Sequence, residues 1–352
     1  MLIEGTEHVM VGLSPTSEMC SMTVRVKPVP GSEFETIVGK PADGDFTNLL
    51  GYLDDGAMMN IASKIDRESM NASYMKLFEI MGEMMSEGIP EKELKKMKKL
   101  TTKMIDAMGD SLAMSFGFGE ESSLFEIKYI IEVGKKKAFE KVLAKELQMM
   151  EEGKFNELYK GFGIEMDFEV ERGADTYQGV RIDAAKLTFT MGDEEGPQNR
   201  MLKQIFGDGL DYRLALVDNY CIYSIGGNAD KGIRELIDQV KSGHPKEIGS
   251  EIKAALGVIP NSKQAEAVGT YNYVRILNML PKMILEPDEA NLVKLNVPTK
   301  SNIAFAGGLD DGNIMMQIAM PKQHLLEIKT AFETIIPHIK KQEELKRQKQ
   351  KE

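Results

Sequence analysis

The stretch SNIAFAGGLDDGNIMMQIAMPKQHLLEIKTAFETIIP, residues 301–337, sets the architecture. An apolar run, Ile303 to Ala306, leads into a Gly- and Asp-rich segment ending at Gly312. A second apolar run, Ile314 to Met320, stops at Pro321, and Leu325, Ile328, Phe332 and Ile335 then recur at helical spacing until Pro337. The pattern predicts strand, turn, strand and helix, a ββα unit. Asp310-Asp311-Gly312 is the chemistry any tight turn selects, so the turn needs no functional explanation.

The same unit recurs towards the N-terminus. Val9–Leu13 and Met19–Val26 flank Ser14-Pro15-Thr16-Ser17, and Ser32 is placed to cap a short helix through Val38. Leu49–Ile65 reads as an apolar approach, an Asp54-Asp55-Gly56 turn and a strand from Ala57. A helical hairpin follows over residues 73–108, capped at Asn71 or Ser73 and interrupted at Gly88 and Pro90. Strands at Ser111–Phe118 and Leu124–Val133 precede a helix from Lys135 to Met150. Ile164–Glu171 alternates strictly, with Arg172–Thr176 read as its turn. In the returning strand the apolar phase changes at Ala184-Ala185, which predicts a β-bulge there. Tyr212–Val217, Tyr220–Ile225 and a helix over Asp230–Lys241 form another ββα unit, followed by a strand at Gln264–Tyr271 and a helix at Tyr273–Leu285 kinked at Pro281.

Both halves therefore read ββα, βα, ββα. Gly51-Tyr52-Leu53 lies over Gly257-Val258-Ile259, and the helix near Tyr74 over the helix near Tyr273. The expectation is an α+β protein with an internal duplication and two antiparallel sheets, each covered on one face by helices. The first half spans residues 1–155, the second 156–337, and a charged, solvated tail covers 338–352. Pro30-Gly31-Ser32 before a short helix, the polar-turn strand pairs and the closing Ala319-Met320-Pro321-Lys322 resemble a loose group of poorly characterised, exported bacterial proteins with duplicated α+β halves. That resemblance implies a cell-envelope location and carries over no site residues, because the group has no assigned chemistry. The N-terminus has neither the basic nor the apolar region of a signal peptide. The location is extracytoplasmic if a targeting segment has been removed, and cytoplasmic otherwise.

Composition narrows the function classes. Hydrophobic residues at 42% with 28% charged describe a globular chain, and no apolar run approaches the roughly 20 residues of a transmembrane helix. A net charge of −11 weighs against nucleic acid as a partner, since phosphate binding uses clustered Lys and Arg. His8, His244, His324 and His338 lack a second ligand at metal spacing and read as surface or loop residues. Cys20 and Cys221 sit in strand-like apolar contexts, as buried free thiols do, and the sequence leaves a disulfide between them open. Glu165, Asp167, Glu169 and Glu171 share one strand face, but one row cannot surround a calcium ion, so it reads as a solvated face. Gly226-Gly227 precedes a helix without a phosphate-loop motif and reads as a glycine turn with Asn228 or Asp230 as cap. No catalytic residue, cofactor site or metal site is assigned.

Methionine is the exception to an ordinary composition. There are 25, and eleven fall between Met58 and Met114. Clustered methionines suit adaptable apolar surfaces. The sequence therefore favours a non-enzymatic binding or interaction protein, acting through Met81, Met84, Met85, Met97, Leu100, Met104 and Met108 or through the groove between the halves. Its partners would be another protein, itself, or an apolar ligand or lipid. The alternatives are a lipid carrier with a methionine-lined cavity and a hydrolase whose residues converge from distant positions.

Overall fold

A computed structural model describes the chain except residues 1–4, 39, 43, 85–90, 120–123, 155, 157–163, 192–196, 208, 244–245, 261–264, 285–296 and 350–352. The strands are β1 (Thr6–Pro15), β2 (Met19–Pro28), β3 (Met59–Lys64), β4 (Met108–Phe118), β5 (Phe125–Val133), β6 (Ile164–Tyr177), β7 (Val180–Met191), β8 (Leu210–Val217), β9 (Tyr220–Gly226), β10 (Ala267–Tyr271), β11 (Ile303–Asp310) and β12 (Asn313–Pro321). The helices are α1 (Glu33–Val38), α2 (Arg67–Met84), α3 (Glu91–Ala107), α4 (Lys136–Glu151), α5 (Pro197–Phe206), α6 (Ala229–Lys241), α7 (Ser250–Leu256), α8 (Tyr273–Ile284) and α9 (Lys322–Lys349), with a 3-10 turn at Thr47–Tyr52.

The fold class is α+β, but the expected two sheets are one. All twelve strands pair antiparallel in the order β1-β2-β12-β11-β10-β3-β4-β5-β9-β8-β7-β6. The reason is where the hairpins pair. β1–β2 pairs with β12 from the far end of the chain, and β8–β9 pairs with β5, so neither half closes on itself. At the β11–β12 turn, Asp311 and Gly312 adopt φ of 50° and 73°, the left-handed pair that a two-residue hairpin requires.

Pairing register assigns every strand residue to one of two faces. On the first face a row of Val268, Ala62, Ala113, Ile130, Ile222 and Ala215 crosses six strands and is buried. It packs under the 3-10 turn, α6 and α7, where Leu49, Ile233, Ile237 and Ile252 are also buried. Small alanines on the sheet opposite large isoleucines on the helix let the layers interdigitate. On the second face Ile65, Met108, Ile131 and Val133 pack with Ile105 of α3 and Phe139, Leu143 and Leu147 of α4. A separate small core joins α8 and α9 through Val274, Leu277, Ala331 and Ile335.

Several expectations need correction. The returning strand β7 has no bulge at Ala184-Ala185; its register with β8 is unbroken. The irregularity lies in β6, between Glu171 and Asp175, and Arg172–Thr176 is strand rather than turn. The phase change in β7 has another cause. Ile182 is buried under the first-face helices, whereas Phe189 packs edge-on against Phe206 of α5. α2 begins at Arg67, ahead of Asn71 and Ser73, because Asp66 accepts from the Glu68 N–H and supplies the cap. α9 runs through Pro337 to Lys349, so residues after His338 extend a helix instead of leaving it. α5 and α7 carry no counterpart in the sequence reading. Among the described residues, no helix is long and apolar enough to cross a membrane.

Candidate functional site

Pairing aligns six polar side chains into a single row across the first face: Thr270, Asn60, Ser115, Lys128, Ser224 and Arg213, one from each of β10, β3, β4, β5, β9 and β8. Two residues further along the same strands lies the fully apolar core row. The row's centre is bonded throughout. Ser115 Oγ donates to Asn60 Oδ1 at 2.5 Å, while Asn60 Nδ2 donates to the Asp54 carbonyl at 3.1 Å and to Thr270 Oγ1 at 3.3 Å. The Asp54 N–H in turn donates to Ser115 Oγ at 2.9 Å. The Asp54-Asp55-Gly56 turn is thereby fixed above the sheet. From its other side Arg275 donates to the Ala57 carbonyl at 2.6 Å and forks onto Glu251 at 2.7 and 2.9 Å.

Lys128 closes this cradle. Its ammonium lies 2.9 Å from Glu235, 3.0 Å from Asp54 and 3.8 Å from Glu126. Burial pulls its pKa down, but Asp54 and Glu235 outweigh that and hold it above the ordinary lysine value. A lysine kept charged this way is an electrostatic anchor and not a nucleophile. A cavity of about 380 Å³ opens beside it, lined by Asp54, Ser115, Glu126, Asn228, Gly232 and Glu235 among others. The Gly226-Gly227 turn leads into α6 as a structural turn: Asn228 Oδ1 accepts from the Lys231 N–H and caps the helix.

A second polar cluster joins α9 to the segment before β11. His324 is fully buried. Its Nδ1–H donates to the Ser301 carbonyl at 2.8 Å, and its Nε2 accepts from the Tyr273 N–H at 3.3 Å. Both nitrogens are committed, and burial keeps the imidazole neutral by lowering its pKa. Glu327 accepts from Thr299 Oγ1, Ser301 Oγ, the Lys300 N–H and Gln323. Burial raises its pKa, yet these donors outweigh burial and hold the carboxyl below its usual range. His324 is therefore a buried structural residue, which corrects its reading as a surface histidine. Leu325 and Phe332, part of the apolar stripe at helical spacing, face outward, because α9 buries His324, Glu327, Ala331 and Ile335 instead. Of the other histidines, His8 and His338 are exposed and His244 lies outside the described residues.

The remaining residues singled out from sequence occupy varied places. Met97, Leu100 and Met104 are half-buried along α3, whereas Met108 is buried at the start of β4. Met81 and Met84 belong to α2 with side chains outside the described residues, as is Met85 altogether. Cys20 and Cys221 are free, and burial pushes the Cys221 thiol up to about 12, which leaves it unreactive. Glu165, Asp167, Glu169 and Glu171 are exposed on the edge strand β6. Among the described residues, no group of three His, Cys, Asp or Glu side chains is placed to hold a metal ion.

The second face presents the opposite chemistry. One residue along from the polar row stand Ile318, Phe305, Gly269, Ile61, Met114 and Tyr129, and the five side chains are only partly buried. Met22, Met59, Met316 and Met320 lie on the same face and are partly exposed. On β4 and β5 its covers sit at opposite ends. α3 and α4 pack over Leu112 and Val133, and the ring of Phe206 of α5 lies tilted against Phe125 at 5.5 Å between centroids. Met114 and Ile127 lie between. No signal in the sequence marks this floor, because the alternation that builds it also builds an ordinary core. No protein-family model, curated protein or solved structure matches the chain.

Proposed function

We propose that this protein binds an apolar ligand, a lipid acyl chain or a molecule of similar shape, on the second face of its sheet. The observation that carries the reading is the contrast between faces. On β3, β4, β11 and β12 the first face is closed over Ala62, Ala113, Ala304 and Ala319, whereas the second is left partly open over Ile61, Met114, Phe305 and Ile318, with Tyr129 beside them on β5. Apolar floor of this extent, left partly open among the described residues, favours an occupant that is itself apolar. Methionine at five positions of the floor, Met22, Met59, Met114, Met316 and Met320, suits ligands of varied shape. About fifteen methylenes at about 0.8 kcal/mol each give about 12 kcal/mol, and ordering costs of about 4 kcal/mol leave a micromolar Kd. The centre of the polar row and the Lys128 cradle act as scaffold, since Thr270, Asn60, Ser115 and Lys128 bond to one another or to Asp54 and Glu235, whereas the buried Ser224 Oγ has no hydrogen-bond partner among the described residues.

The finer architecture belongs to the same proposal. Counting outward from the central pair β3 and β10, one side runs β4, β5, β9, β8 and the other β11, β12, β2, β1. This two-fold order supports an internal duplication in which each half lends its first hairpin to the other, with β6–β7 as an addition.

Native mass spectrometry of the purified chain and titration with a fluorescent fatty acid test the function. Binding in the micromolar range is expected, weakened at least tenfold by Met114→Glu or Ile318→Glu and unchanged by Leu325→Glu on the outer side of α9. Absence of binding by a folded wild type, or equal binding by all variants, sinks the reading.

A further inference from the structure

The two edges of the sheet are built differently. β6 carries Glu165, Asp167, Glu169 and Glu171 outward, and an irregularity before Asp175 breaks its pairing, both devices that discourage another strand from adding. β1 has neither along its centre. Val9, Met10, Val11 and Leu13 are 56%, 51%, 60% and 66% exposed, and they point to both faces of the sheet. Its register irregularity falls at Glu7, at the strand's end. Nearby charges are already matched: Lys27 pairs with Glu7 at 3.0 Å and Arg25 with Asp310 at 3.2 Å. Residues 9–13 at the centre of β1 carry no charge that would select a partner of opposite sign. The chain also contains its own precedent. β8 stands four places out from the centre of the sheet, as β1 does, and its outer edge is covered by β7.

We infer that β1 is the contact between two copies of this chain, pairing antiparallel with β1 of the second copy about a two-fold axis at Val11. That register is chosen by the side chains. It sets Val11 against Val11 and Val9 against Leu13 on one face, and Met10 against Gly12 on the other. A Cβ built on Gly12 meets nothing nearer than the Thr23 carbonyl at 3.9 Å, so the methionine finds open space there. Glu7 falls opposite Pro15 at the end of the pair, and no like charges meet. Centring the axis on Met10 instead would set Glu7 against Leu13. A strand whose residues satisfy one another under their own two-fold axis is the requirement of an isologous dimer. Val9, Val11 and Leu13 lie on the second face, so pairing would also carry the apolar floor from one copy into the next.

Sedimentation velocity of the full chain from 1 to 100 µM reads the outcome directly. A concentration-dependent doubling of mass is expected, abolished by Val11→Lys with an unchanged circular dichroism spectrum. In a Cys20→Ser background, Val11→Cys is expected to form a disulfide-linked dimer under mild oxidation, with little from Met10→Cys. A monomer at every concentration, a dimer that survives Val11→Lys, or equal crosslinking from both positions overturns the inference. Fatty-acid binding is measured separately on the Val11→Lys monomer, so loss of the dimer and loss of the ligand are told apart.

Discussion

Ser115 Oγ and Asn60 Oδ1 meet at 2.5 Å on adjacent strands, both side chains buried, and the same serine accepts the Asp54 N–H. Two side chains thus hold a turn that no strand pairing reaches. Ser115→Ala leaves two buried polar groups without partners and is expected to lower stability by about 1–3 kcal/mol. Asn60→Ala, which also gives up Asp54 O and Thr270, should cost at least as much. Urea unfolding with an unchanged m-value checks both, and the double variant should be less damaging than the sum.

Lys128 is the charge on which the carboxylates of Asp54 and Glu235 converge, with its side chain 12% exposed. Lys128→Met should destabilise by about 1–3 kcal/mol, below the figure for fully buried pairs because both carboxylates keep contact with water. Glu235→Gln in the Lys128→Met background should recover part of the loss. A double-mutant cycle in 0.1 M and 1 M salt checks the coupling.

Acid should weaken the α9 anchor in two stages. His324 has a lowered folded pKa, so the unfolded chain takes up a proton first as pH falls below about 6.5. Its contribution is present above that pH and is lost on the way down to the folded pKa. Glu327 is also lowered, so its contribution is present above about 4.5 and is lost at more acid pH. Protonated His324 would set its Nε2–H against the Tyr273 N–H, which is the structural form of the same penalty. Tm measured from pH 8 to 3.5 should fall from about pH 6.5 downward. His324→Gln should flatten the upper part of that fall and Glu327→Gln the lower part.

Two glycines separate flexible from rigid neighbours. A Cβ on Gly232 of α6 would lie 2.2 Å from Ser224 Oγ, a side-chain atom. Gly232→Ala should therefore destabilise by about 1–3 kcal/mol and be partly rescued by Ser224→Gly. A Cβ on Gly269 would lie 2.2 Å from Phe305 and 2.3 Å from the Asn60 carbonyl, which is backbone. Gly269→Ala should be worse, and Phe305→Ala should not rescue it. Thermal unfolding of the four variants decides this.

Local pattern carried much of the fold. The 301–337 unit keeps its strand, turn, strand, helix order, because Asp311-Gly312 can take positive φ and alternation needs no distant partner to be recognised, but β11 runs on through Gly307–Asp310, which had read as turn. The α6 stripe of Ile233, Leu236, Ile237 and Val240 is buried as its spacing requires. Ser32 caps α1, its Oγ accepting from the Glu35 N–H at 3.1 Å. Where local rules failed, a contact from far along the chain had intervened. His324 stands on α9 where an exposed helix surface was expected, and only Ser301 and Tyr273 explain its burial.

The sequence by itself determined most of the elements, though not α5, α7 or the run of α9 through Pro337: which residues alternate, which recur at helical spacing, and where most of them stop. The tertiary structure alone decided the sheet's order and register. Pairing β12 with β2 and β5 with β9 merged two expected sheets into one, set Thr270, Asn60, Ser115, Lys128, Ser224 and Arg213 in line, and left the methionine floor on the reverse. Alternation tells which residues share a face, but the register between strands fixes which of them meet, and that follows from burial summed over the whole sheet.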